Sequence, residues 1–255
     1  SSQLRALTAT DVGELTTTQL QALTGTQLGQ LTNTAFAAFD GTQIGALSVT
    51  QFRGVTATQI GALTETDIGE LTETQVGSLL SSQFAALTAT QLSALNVTQS
   101  GAITTTQIAW LSNAQIGGLT GTAAAQLTTT QLGALNSGQV AALTATAFSA
   151  LADTQVSPLT VTQVRGLTTT QIAALTTTDI GELSAAQLGA LNNTQLGAVT
   201  TTNLSALTTT QIGGLTPSQL GALSLTKLAA FDAVQIGALT TTQFGALTAP
   251  QVSAL

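Results

Sequence analysis

The chain has 255 residues, of which only 6% are charged, and its net charge is −7 with no cysteine or histidine. This composition excludes disulfides and the commonest catalytic base, and four scattered cations are too few to neutralise nucleic-acid phosphates. Although 43% of the residues are hydrophobic, the apolar runs are only a few residues long, so we expect no transmembrane segment and no nucleic-acid partner.

From its first residues the chain repeats a unit of eight residues, which we call an octad. Leu occupies 27 of the 32 positions 7, 15, 23 and onward to 255. A second apolar position runs through 4, 12, 20 and onward, and only Ser100 and Ala124 interrupt it. A fixed period of this kind is the signature of a repeat protein.

Each octad carries the signals of one short helix. Thr208 has the properties of an N-cap, and Gln211 three residues later completes a capping box. Leu207 and Ile212 are placed to form the accompanying hydrophobic staple. The cap position holds Thr, Ser, Asn or Asp in 29 of 31 octads, and the Gln position, called the N3 position below, holds Gln in 24 of 32. We predict an all-α solenoid with one very short helix per octad, in which the cap contributes more stability than the Gln.

A β-solenoid is the alternative fold. Thr-x-Thr triplets such as residues 208–210 also occur on the flat faces of β-solenoids. That fold needs two corners per octad, whereas each octad offers one site of small residues for a corner. The β-solenoid also gives no reason for the residues favoured at the cap and N3 positions. It leaves Pro217 unexplained as well, whereas the helical fold accommodates it, because proline is well tolerated in the first turn of a helix.

No linker interrupts the repeat, so we predict a single uninterrupted domain over residues 1–255. Both ends are in phase and neither carries a polar capping repeat, which leads us to expect an excerpt of a longer array. Residues 49–71 and 161–183 are nearly identical at an offset of fourteen octads, which indicates duplication. The pattern weakens at residues 121–126, where we expect a soft spot.

Carboxylates recur in three Asp-[Val/Ile]-Gly-Glu motifs, in which Asp11 precedes Glu14, Asp67 precedes Glu70 and Asp179 precedes Glu182. Ca²⁺ takes about six to eight oxygens, so two carboxylates are sparse, and Asp is also a normal partner of an N-cap. We prefer the capping interpretation. We assign no catalytic, cofactor-binding or metal-binding residue and expect no cofactor and no enzymatic activity, because no nucleophile–base pair is evident.

The repeated motif Leu-Thr-x-x-Gln-[Ile/Leu/Val]-x-x-Leu resembles the octapeptide repeat tracts of very large bacterial secreted and surface proteins, which are described as adhesin-like. The resemblance covers the entire chain. It implies an extracellular or cell-surface location on a bacterium.

One octad cannot fold alone, because two buried aliphatic side chains stabilise it less than the ordering of eight residues costs. Long arrays are therefore expected, and we predict a structural filament, stalk or fibre element that self-associates through weakly charged faces. The alternative is a binding module that presents a regular Thr lattice to ice, a polysaccharide or another surface. Contact with a cell surface or polysaccharide is compatible with both hypotheses.

Overall fold

The computed structural model describes residues 2–255, with side chains from residue 3. The chain divides into two compact units, the first ending at Ala134 and the second running over Leu135–Leu255. In the first unit the helices are α1 Ser2–Arg5, α2 Ala9–Gly13, α3 Thr17–Gln21, α4 Gly25–Leu28, α5 Asn33–Phe36, α6 Gly41–Gly45, α7 Val49–Arg53, α8 Ala57–Gly61, α9 Glu65–Gly69, α10 Glu73–Ser78, α11 Ser81–Ala85, α12 Ala89–Ser93, α13 Val97–Ala102, α14 Thr105–Trp110, α15 Asn113–Gly117, α16 Gly121–Ala125 and α17 Thr129–Gly133.

The second unit continues with one helix in each octad. Its helices are α18 Ser137–Ala142, α19 Ala145–Ser149, α20 Asp153–Val156, α21 Val161–Gly166, α22 Thr169–Ala174, α23 Thr177–Glu182, α24 Ala185–Ala190, α25 Asn193–Ala198, α26 Thr201–Ser205, α27 Thr209–Gly214, α28 Pro217–Ala222, α29 Leu225–Leu228, α30 Ala233–Gly237, α31 Thr241–Gly245 and α32 Ala249–Ser253. Residues 2–255 contain no strand. The prediction of one short helix per octad is confirmed, and the β-solenoid alternative is wrong.

The capping box explains why each helix begins where it does. Thr208 has extended backbone angles (φ −71°, ψ 160°), and its hydroxyl accepts a hydrogen bond from the backbone N–H of Gln211 at 3.2 Å. The Gln211 side chain in turn accepts the Thr208 backbone N–H at 2.8 Å. At the other end, Leu215 is again extended (φ −68°, ψ 137°) and leads into the next cap. Thr-x-Thr triplets are therefore helix starts and not strands.

Within each unit, a helix packs on the helix three places further along the chain. In the first unit α4 packs on α7, and in the second α24 packs on α27. Three octads therefore make one turn of 24 residues, and each unit is a solenoid of short helices. We call the extended residue between two successive helices, such as Leu215, the corner residue. Since each octad has one corner residue, each turn has three.

The two apolar positions of the octad form the core of each turn. Ile172 is completely buried, and Leu175 at the following corner is 5% exposed. Both belong to the apolar positions that the sequence predicts as core. Burial of such aliphatic side chains is the main source of stability.

Small residues let stacked helices approach closely. A methyl group added at Gly221 would lie 2.8 Å from the carbonyl oxygen of Ala246 in the next turn. Real Cβ atoms do not come that close, so the glycine is required by packing. At Gly213, by contrast, an added methyl group would meet nothing within 4 Å.

The two interruptions of the second apolar position lie one turn apart. Ser100 lines a cavity of about 20 Å³ together with Leu92, Ile103, Ile108 and Ala123, the neighbour of Ala124. The Ser100 hydroxyl donates to the side-chain oxygen of Gln126 at 2.9 Å. Residues 121–125 nevertheless form α16, so the weak pattern appears as a small void in the core and not as a break.

Candidate functional site

The most regular polar feature of the molecule is a junction between successive turns, built around the N3 glutamine. At Gln171, the side-chain oxygen accepts the backbone N–H of Thr168 at 2.8 Å and the Thr168 hydroxyl at 3.1 Å. The side-chain nitrogen donates to the carbonyl oxygens of Val140 and Leu143, both at 2.8 Å. Gln171 is 1% exposed. One side chain thus starts its own helix and binds the corner of the preceding turn.

This turn junction recurs with almost constant geometry. The glutamine nitrogen lies 2.6–3.1 Å from the carbonyl oxygen of the corner residue 28 positions earlier. Glutamines with this contact are Gln43, Gln51, Gln59, Gln75, Gln83, Gln91, Gln99, Gln107, Gln115, Gln131, Gln163, Gln171, Gln187, Gln195, Gln211, Gln219, Gln235, Gln243 and Gln251.

The turn junction satisfies carbonyl groups that the helices cannot. A corner residue such as Leu143 is extended, so its carbonyl has no partner in a continuing helix. A buried carbonyl without a partner destabilises a fold by about 1–3 kcal/mol. Every buried side-chain nitrogen and oxygen in the described part of the chain also has a partner. The junction therefore contributes hydrogen bonding along the solenoid axis that helix caps alone do not supply.

Sequence reasoning missed this second role of the glutamine, although a signal was present. Glu serves a capping box as well as Gln does, yet no Glu occupies any N3 position of this chain. A carboxylate caps the helix but has no proton to donate to the preceding turn. The preference for Gln over Glu at the N3 position is therefore the sequence signal of the turn junction.

Two other residue types preserve the donor at this position. Asn203 donates from its side-chain nitrogen to the Leu175 carbonyl at 2.7 Å. Lys227 donates from its ammonium group to the carbonyls of Gly197 and Val199. Burial lowers the pKa of Lys227 below its ordinary value.

The three Asp residues of the predicted carboxylate motifs act as cap partners. Asp179 accepts the Thr176 backbone N–H at 2.8 Å, and Asp67 accepts that of Thr64 at 2.7 Å. Hydrogen bonds from the Thr8 backbone N–H and then from its hydroxyl lower the pKa of Asp11. Within residues 2–255, no group of three or more His, Cys, Asp or Glu side chains is placed to hold a metal ion.

Threonines cover the outer surface around the helix starts and line open grooves between stacked helices. One groove of about 480 Å³ is bounded by Thr64, Glu65 and Thr66 below and by Thr88 and Thr90 above. An equivalent groove of about 380 Å³ lies eight residues further along, where Glu73 takes the place of Glu65. The hydroxyls of Thr88 and Thr90 are 2.9 Å apart. Both grooves are concave polar surfaces of the first unit.

A few large apolar side chains interrupt this polar surface. Trp110 is 39% exposed and packs edge-on against Phe84, with ring centroids 6.5 Å apart. Val97 and Val234 are 64% and 69% exposed at helix starts. Val97 and Val234 face away from the core, so most of each side chain is in contact with solvent.

The fold and the turn junction together define a repeat protein of the short-helix solenoid class. A scan against family models matches the ALTTAQ repeat to residues 188–225. The matched segment includes Ala206–Gln211, with the sequence Ala-Leu-Thr-Thr-Thr-Gln, which spans a corner, a cap and a junction glutamine. No curated protein matches the chain. Among the described residues, no helix is long and apolar enough to cross a membrane.

Proposed function

We propose that this chain is a structural, non-catalytic element of an extracellular filament, stalk or fibre of a bacterium. The turn junction is the observation that carries the proposal. Within each unit, successive turns are bound to one another by the same kind of hydrogen bond, so an array lengthens by adding octads without a new kind of contact. The bacterial and extracellular setting rests on the resemblance to octapeptide tracts of adhesin-like proteins.

Self-association is the second part of this proposal. The surface carries few charges to oppose lateral contact, and large apolar side chains at helix starts are exposed to solvent. These include Val97, Val161, Leu225 and Val234. Side-by-side packing of two copies removes such side chains from water, which favours association.

Sedimentation and negative-stain microscopy over a concentration series test this assembly. We expect wild-type chains to form filaments as the concentration rises. A variant in which Val97, Val161, Leu225 and Val234 are changed to Thr should associate more weakly. A control with Thr→Ser changes at Thr105, Thr169, Thr201 and Thr210 should behave as the wild type. A wild-type monomer at every concentration, without fibres, contradicts the assembly proposal.

A second candidate function is the binding of a polysaccharide in the grooves between stacked helices. Thr hydroxyls and the carboxylates of Glu65 and Glu73 converge there, and such groups bind the hydroxyls of sugars. Glycan-array binding that is lost in Glu65→Gln and Glu73→Gln variants supports this function. An array without any bound glycan argues against it.

A further inference from the structure

Three segments of the chain match the Asn-x-Ser/Thr acceptor motif of N-linked glycosylation, in which x is any residue except proline. They begin at Asn96, Asn192 and Asn203. So short a motif arises by chance in a chain this rich in threonine, and the sequence alone does not distinguish the three. The structure distinguishes them by the exposure of each asparagine and by the hydrogen bonds that its side chain makes.

Asn203 is buried and its side-chain nitrogen is already in use. It occupies the N3 position of α26 and is 3% exposed. The nitrogen donates to the carbonyl oxygen of Leu175 at 2.7 Å, which makes it part of a turn junction. A sugar on this nitrogen would have to lie between two stacked turns. The motif at Asn203 is therefore closed to modification in the folded chain.

Asn96 and Asn192 instead lie at the N-caps of α13 and α25, and both are exposed. The side-chain oxygen of Asn96 accepts the backbone N–H of Gln99 at 3.0 Å. That of Asn192 accepts the backbone N–H of Gln195 at 2.8 Å. In the part of the chain that the structure describes, neither side-chain nitrogen takes part in a hydrogen bond. The cap thus uses the oxygen and leaves the nitrogen to solvent.

Attachment of a sugar uses the atom that the cap leaves unused. The asparagine Nδ2 forms a bond to the anomeric carbon of the sugar and loses one proton to a base of the transferase. The bond between that carbon and the phosphate of the glycosyl donor breaks, and the phosphate leaves with the electron pair. Oδ1 keeps its lone pairs throughout. A glycosylated asparagine is therefore still an N-cap.

The third residue of the motif at Asn96 is in direct contact with the acceptor side chain. The Thr98 hydroxyl donates to Asn96 Oδ1 at 2.7 Å, and the Thr98 backbone N–H donates to the same oxygen at 3.0 Å. Such a local turn is typical of asparagine at a helix start. Donors on the amide oxygen withdraw electron density from the carboxamide, so its N–H becomes more acidic. The helix start therefore holds the motif exposed and favours loss of the proton.

We propose that Asn96 and Asn192 are N-glycosylated on their side-chain nitrogens by sugar transfer from a glycosyl phosphate donor, and that Asn203 is not. Thr98 and Thr194 supply the hydroxyl of the motif, and both are exposed. Because the two asparagines lie on the polar outer surface, a glycan there disturbs neither the core nor a turn junction.

Mass spectrometry of the full chain, purified from the organism that produces it, tests both sites. Trypsin should release residues 54–165, which contain Asn96, and residues 166–227, which contain Asn192 and Asn203. Electron-transfer fragmentation then locates each sugar. We expect sugars on Asn96 and Asn192 and none on Asn203. An unmodified asparagine at either exposed site overturns the proposal, and so does a sugar on Asn203. The readout is a mass, so it does not depend on whether the chain forms filaments.

Two variants separate the acceptor from the cap at Asn96. Asn96→Asp removes the acceptor nitrogen and keeps a cap, since Asp40 caps α6 in the same way. This variant should carry its sugar on Asn192 alone and should remain folded by circular dichroism. Thr98→Val should lose the sugar on Asn96, whereas the control Thr98→Ser should retain it. A sugar in this segment that persists in Asn96→Asp or in Thr98→Val overturns the assignment.

Asn136 is a matched cap that lacks the motif. It is exposed, and its side-chain oxygen accepts the backbone N–H of Gln139 at 2.9 Å, but Gly138 stands where the motif needs a hydroxyl. Gly138→Thr should therefore add a third sugar, on Asn136. The wild type should carry none there. An Asn136 that stays unmodified in this variant, while Asn96 carries its sugar, contradicts the claim that an exposed cap with the motif is a sufficient acceptor.

Discussion

The side-chain amide of Gln171 donates a hydrogen bond of 2.8 Å to the carbonyl oxygen of Leu143, 28 residues earlier in the chain. This contact joins one turn of the solenoid to the next. We expect it to reverse the order of stability that capping alone predicts, because loss of the glutamine removes a cap partner and leaves the Leu143 carbonyl without its donor.

Gln171→Ala should therefore lower the free energy of unfolding by about 2–4 kcal/mol, since it leaves the Leu143 carbonyl unpaired and also removes the partner of the Thr168 cap. Thr168→Ala removes only the cap and should cost about 0.5–2 kcal/mol. Urea denaturation followed by circular dichroism measures both values.

Gln19→Ala is the matched control for Gln171→Ala. Gln19 is exposed and takes part in a capping box, but it lies too near the start of the described chain to have a corner 28 residues earlier. It should therefore cost less than Gln171→Ala. Equal losses at the two positions would show that the contact between turns contributes no stability.

The corner leucines should be sensitive to truncation. Leu175 is 5% exposed in the core of the second unit. Leu175→Ala should cost about 2–5 kcal/mol, because the neighbouring turns cannot close the cavity that it leaves. Urea denaturation provides the measurement. A loss as small as that of Thr168→Ala would mean that the Leu positions do not form the core.

Two glycines at the same position of successive octads should respond in opposite directions to substitution by alanine. Gly221→Ala should destabilise the fold, because the new methyl group would lie 2.8 Å from the Ala246 carbonyl oxygen. Gly213→Ala should stabilise it by about 0.5–1 kcal/mol, since the site is open and alanine favours helix. Measuring the melting temperatures of the two variants tests this prediction. Equal shifts in the same direction would contradict the stacking of α28 on α31.

The Asp11 carboxyl should titrate below its ordinary pKa of 3.8, because the Thr8 backbone N–H and hydroxyl bind the carboxylate. Because the pKa of Asp11 is lower in the folded state, its ionised carboxylate stabilises the fold at pH values above the pKa of the unfolded state. This stabilisation is lost as the pH falls through the pKa of the folded state. An NMR titration of the carboxyl carbon measures it. Thr8→Ala should raise the pKa part of the way, because the larger contribution from the backbone remains, and Thr8→Ser should leave it low.

Much of the fold follows from local rules that a sequence displays. The pairing of Thr208 with Gln211 predicts a helix start, and the spacing of Leu207 and Ile212 predicts the buried face. These interactions lie within one octad or its neighbour, so a single repeat contains the information. The helix bounds and the core positions were therefore predictable.

The number of octads per turn and the turn junction were not predictable in this way. The contact of Gln171 with Leu143 joins residues that are far apart in sequence, and nothing within one octad states which earlier corner it reaches. Absence of Glu from the N3 position indicates that a donor is needed, but not where its acceptor lies.

The central claim is that the helices stack at an interval of three octads, and cysteine cross-linking tests it directly because the chain contains no cysteine. A Cβ atom at Gly61 would lie 3.7 Å from that of Ala86, 25 residues further on, a separation that suits a disulfide. Gly61→Cys with Ala86→Cys should oxidise rapidly to an internal disulfide, seen as a shift on a non-reducing gel. The same cysteine paired one octad earlier, at Ser78, or one octad later, at Ala94, should not. Preferential cross-linking to either of these, or no difference among the three pairs, would contradict a turn of three octads.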